Sequence, residues 1–64
     1  MTTLPAAHTS AADLVGTFRT FGEYGPAYQV VSTVNGQKVH VVVVETGEEL
    51  DYPAEQALRD PKTN

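Results

Sequence analysis

The sequence predicts an α+β domain, a small four-stranded antiparallel β-meander with a short C-terminal helix and a helical turn before the first strand. Three observations carry this. The run Tyr28 to Val34 leads into Asn35-Gly36, the strongest short-range hairpin signal, because the mirror-image tight turn needs positive φ at both central residues. A second turn signal, Thr46-Gly47, follows the apolar run Val41 to Val44. Pro53 then opens AEQALRD, good helix formers that place Ala54, Ala57 and Leu58 on one apolar stripe.

Residues 1–9 are small and polar without periodicity and predict a frayed N-terminal arm. Ser10 with Asp13 forms a short capping box that starts a helical turn over Ala11 to Val15, ended by Gly16. TFRTF alternates and reads as the first strand, with Phe18 facing away from Arg19 and Phe21. Gly22, Gly25 and Pro26 mark a wide turn into Tyr28. With Asn35-Gly36 as a two-residue loop, Val34 opposes Gln37, Ser32 opposes Val39, Val30 opposes Val41 and Tyr28 opposes Val43. The second turn pairs Val43 with Leu50 and Val41 with Tyr52. Period-two alternation then puts Tyr28, Val30, Ser32, Val34, Val39, Val41, Val43, Leu50 and Tyr52 on one face. Its cover is the helix stripe, the Leu14-Val15 turn and Phe18 or Phe21. The domain spans 10–61, and residues 62–64 are expected to form a disordered tail.

A chain of 64 residues makes one domain, and at this size folding buries only ~60% of the surface of the unfolded chain. Self-association or a partner would supply the missing burial. There is no cysteine, so disulfides and cysteine zinc sites are excluded, which fits a cytoplasmic location. The first residues lack a basic stretch followed by an apolar core, which argues against secretion. No apolar run approaches the ~20 residues of a membrane span. The net charge is −4, and Arg19, Lys38, Arg59 and Lys62 are scattered, which disfavours nucleic acid as a ligand.

The segments LVGTFRTFGEYGPAYQVV and VVVVETGEELDYPAEQALRDP resemble a family of small, uncharacterised bacterial proteins with a G-T-x-R-x-F-G-x-x-G-P-x-Y-x-V block, a V-E-T-G-E-E-x-D-Y block and a closing D-P. The resemblance covers most of residues 14–61 and implies an intact domain of bacterial or phage origin. It implies no biochemical activity.

Glu45, Glu48, Glu49 and Asp51 place four carboxylates around the second turn. They read either as a solvated turn that blunts an edge strand or as an acidic knob for a basic partner protein. Their spacing lacks the loop that wraps calcium, so no metal site is expected. Tyr24, in a glycine-proline loop, is a candidate anchor, with folding back into the core as its alternative. Val31, Val42 and Val44 make the second sheet face more apolar than solvation requires and are the candidate homodimer interface, unless the N-terminal arm covers them. His40 reads as a surface residue, and no cleft holds a second group for acid–base chemistry. No glycine loop cradles a phosphate, so no cofactor is expected.

Three function classes follow. The first is a small acidic, non-enzymatic protein-binding module, antitoxin-like or phage-inhibitor-like, blocking a basic partner through the acidic turn. The second is a homo-oligomeric structural or accessory module. The third is a nucleic-acid or small-ligand binder using Arg19, Lys38 and His40 on one face.

Overall fold

The computed structural model describes residues 11–63. A 3-10 turn, Ala11–Leu14, precedes strands β1 (Phe18–Thr20), β2 (Ala27–Asn35), β3 (Lys38–Val43) and β4 (Glu49–Pro53), followed by helix α1 (Ala54–Arg59) and strand β5 (Lys62–Thr63). The sheet is antiparallel and five-stranded, in the order β4-β3-β2-β1-β5. The meander of four strands is therefore present, but a fifth strand extends it. Lys62 and Thr63, expected in a disordered tail, instead pair with Arg19 and Phe18. The short helix explains this, because Asp60 takes extended φ/ψ and turns the chain back along β1. The expected N-terminal arm and the Ser10 cap lie outside the described residues.

The first hairpin has the expected register where it is buried. Tyr28 pairs with Val43 and Val30 with Val41. Beyond Val30 two irregularities shift β2, so that Ser32 opposes His40, Thr33 opposes Val39 and Asn35 opposes Lys38. The turn residues are thus Gly36-Gln37, and neither Asn35 nor Gly36 has positive φ. The Asn35 side chain is the reason. Its Oδ1 accepts from the Gln37 and Lys38 amides, at 2.7 and 3.0 Å, closing the turn without the mirror-image geometry. The shift also turns Ser32 and Val34 out of the core, and both are exposed.

The second hairpin slips by two residues from expectation. Val41 opposes Leu50 and Val39 opposes Tyr52. The connection is a wider loop, closed by the Gly47 amide on the Val43 carbonyl at 2.8 Å with Gly47 at φ 75°. A slip of two preserves side-chain alternation, so Val41 and Leu50 still share a face.

The core comprises Ala11, Leu14, Tyr28, Val30, Val39, Val41, Ala54 and Ala57, with Phe21 and Tyr52 packed against it. The 3-10 turn and α1 thus cover one sheet face. Leu58, expected in the helix stripe, is 41% exposed, and Val15 and Phe18 also stay out. Six helical residues are too few to bury a second turn of the stripe.

Candidate functional site

Two side-chain constellations stand out, one inside the fold and one on its surface. Arg19 opposes Tyr28 in the β1–β2 register and therefore points into the core. Its Nε donates to the Thr17 hydroxyl at 3.2 Å, and a guanidinium nitrogen donates to the Asp60 backbone carbonyl at 3.3 Å. The Asp60 carboxylate accepts from the Tyr28 hydroxyl at 2.7 Å, the Tyr52 hydroxyl at 2.8 Å and the Gly22 amide at 3.2 Å. Burial alone would raise the Asp60 pKa, but these donors, with the Gln56 side chain, outweigh it and hold the carboxyl below its ordinary value. Burial and the Asp60 contact push the Tyr52 hydroxyl up to about 12 and raise Tyr28 as well. Phe21, Tyr28 and Tyr52 pack against one another with ring centroids 4.3 to 5.4 Å apart. Every polar group here is satisfied within the fold, so the network is a structural tie between the chain's C-terminal segment and the sheet.

Burial of Arg19 removes the arrangement in which Arg19, Lys38 and His40 share a binding face. Lys38 and His40 lie on the opposite face of the sheet, and Arg59 pairs with Glu55 at 3.3 Å. The three residues named for the third function class therefore do not form one surface.

The surface constellation occupies one end and one edge of the sheet. Loop 21–26 and loop 44–48 project from the same end, linked where the Val44 amide donates to the Ala27 carbonyl at 3.0 Å. Loop 21–26 is clamped at its base by the Phe21 amide on the Pro26 carbonyl, at 3.1 Å, and by Gly22 on Asp60. A Cβ at Gly25 would collide with the Phe21 carbonyl, so only glycine permits this path. Its tip carries Tyr24, 96% exposed rather than folded back. Glu45 and Glu48 are exposed on the neighbouring loop.

Glu49 and Asp51 are placed differently from those two. They lie on β4, on the face away from the core, where His40 reaches both. Its Nε2 is 2.7 Å from Glu49 Oε1 and its Nδ1 is 3.0 Å from Asp51 Oδ1. Hydrogen bonds first to Asp51 and then to Glu49 raise the His40 pKa, since only imidazolium donates from both nitrogens. From the sequence alone His40 reads as a lone surface residue. Asp51 opposite it follows from the second hairpin's register, which the slip of two concealed. Val31, Val42 and Val44 do not form one continuous stripe. Val42 is half-buried between Gln29 and Glu49, Val31 sits at the first irregularity of β2, and Val44 is in the loop.

Among the described residues no group of His, Cys, Asp or Glu has the arrangement to hold a metal ion, and no helix is long and apolar enough to cross a membrane. The chain belongs to a family of unknown function, DUF5397, whose model matches residues 5–64. Neither the curated proteins nor the solved structures contain a match.

Proposed function

We propose that this chain is a small non-enzymatic protein-binding module, antitoxin-like or phage-inhibitor-like, that blocks a basic partner protein through the acidic end of its sheet. The observation that carries the reading is Tyr24, a large aromatic side chain 96% exposed on a loop clamped at its base beside Glu45 and Glu48. A tyrosine presented at the tip of such a loop supplies large contact area with a polar end, and carboxylates on the neighbouring loop steer a cationic surface toward it. Steering is screened over ~8 Å at physiological salt, so association slows as salt rises. The test is capture from the source cell with the native chain as bait, repeated with a double Glu45→Lys, Glu48→Lys variant. These two are the probes because Glu49 is held by His40. The variant keeps its fold and loses the basic partner, and Tyr24→Ala weakens capture. Undiminished capture by both overturns the reading.

The alternative is a homo-oligomeric accessory module. It is favoured by Phe18, Val31 and Val44, which are 38, 39 and 54% exposed.

A further inference from the structure

We infer that the free edge of β4 is a strand-addition site for an extended basic segment of another protein, with Lys or Arg opposite Glu49 and Asp51 and an apolar residue opposite Leu50. β4 is the outermost strand on its side of the sheet. Two backbone bonds bracket its ladder with β3, from the Val43 amide to the Glu48 carbonyl at 2.7 Å and from the Ala54 amide to the Gln37 carbonyl at 2.8 Å. In an antiparallel ladder hydrogen-bonded pairs alternate with non-bonded ones. Counting inward from both ends, Leu50 and Tyr52 bond to β3, while the amides and carbonyls of Glu49 and Asp51 point outward. No loop among the described residues satisfies them. An incoming strand therefore meets open donors and acceptors at these two residues.

The side chains choose the occupant. Glu49 and Asp51, each bonded to His40 through one carboxylate oxygen, remain well exposed on one side of the edge, and Leu50 is 36% exposed on the other. A second copy is rejected, because antiparallel β4 edges centred on Leu50 set Glu49 against Asp51 in both directions, and like charges directly opposed destabilise a ladder. No two Lys or Arg residues of this chain stand two apart, so it carries no basic-apolar-basic segment of that kind. The complement is a Lys-apolar-Lys strand supplied by a different protein.

The inference rests on the basic-partner reading, yet uses a different surface from Tyr24, Glu45 and Glu48. The probe is the acetylated, amidated peptide Thr-Lys-Val-Lys-Thr, titrated into the isotope-labelled full chain. Expected are protection of the Glu49 and Asp51 amides from hydrogen exchange and selective shifts along β4. Backbone N-methylation of both lysines keeps their charge and removes the two inward amides, and weakens binding about tenfold or more. N-methylation of the valine, whose amide faces away, is tolerated. Equal binding of the lysine-methylated peptide, unprotected edge amides or no binding at the highest accessible peptide concentration each overturns strand addition. The Glu45→Lys, Glu48→Lys capture experiment separates the two readings. Loss of the partner there beside a failed peptide test removes only the strand site, whereas a passed peptide test with undiminished capture removes only the acidic-end reading.

Discussion

Asp60 is buried with its charge, and the two tyrosines that bond it make the pH response readable at single residues. Its lowered pKa means a stabilising contribution present above pH 3.8, its ordinary value, and lost as pH falls through the lower folded value. The tyrosines act at the other extreme. Their raised pKa values give a contribution complete below pH 10 and lost as pH rises from 10 toward 12 and beyond, so circular dichroism should show alkaline unfolding in that range. Tyr52→Phe should soften this alkaline transition. Asp60→Asn keeps the shape and loses charge-assisted acceptance, at an expected cost of about 1.5–3 kcal/mol in chemical denaturation. On the outer face His40 titrates among Glu49, Asp51 and Lys38, which stands two residues along the same strand. Its raised pKa gives stabilisation present below pH 6.5 and lost as pH rises through the folded value. An NMR titration should place His40 above 6.5, and Asp51→Asn should bring it back down. A His40 titrating at or below 6.5 in the native chain would contradict the bridged geometry.

The hairpins separate what was legible at the level of elements from what was not. Alternation in Tyr28, Val30, Val39, Val41 and Val43 identified the buried face correctly, because a period of two survives any even slip of register. The turn chemistry was less legible. Asn35-Gly36 signals a mirror-image turn, but Asn35 caps the turn with its side chain and the strand absorbs extra residues in two irregularities. Arg19 and Asp60 were hidden for another reason. A buried charge is recognisable only through partners distant in sequence, here 41 residues apart. Of the candidate site, the exposure of the acidic loop followed from its composition, while the His40 bridge needed the true register. The glycines test this account. Gly36 has ordinary φ and nothing near its missing Cβ, so Gly36→Ala should be neutral or stabilising by about 0.4–1 kcal/mol. Gly47 sits at φ 75°, and Gly47→Ala should cost about 1–2 kcal/mol. Equal thermal shifts for the two would restore the mirror-image turn at Gly36.

At the scale of the whole molecule the described residues form a thin body, 45 × 22 × 16 Å, with one sheet face covered and the other open. Small residues do most of the covering, Ala11, Ala54 and Ala57 alongside Leu14, so the core's apolar volume comes mainly from the sheet itself. Truncating Val41, fully buried at its centre, should therefore cost about 1–3 kcal/mol. The open face carries Phe18 and Val42 in one row across β1, β2 and β3, separated by Gln29, with Val44 in the loop that follows β3, and its burial against a second copy is the homo-oligomer alternative in physical form. Val42 discriminates because it lies between Gln29 and Glu49 on the side away from the core. A lysine there faces Glu49 across the strands, a favourable pair, so Val42→Lys should leave the monomer folded. If the open face is an interface between copies, the native chain sediments as a concentration-dependent dimer and Val42→Lys as a monomer with unchanged circular dichroism. A native chain that stays monomeric at every concentration removes that alternative and leaves the acidic end and the β4 edge as the surfaces to be matched with a partner.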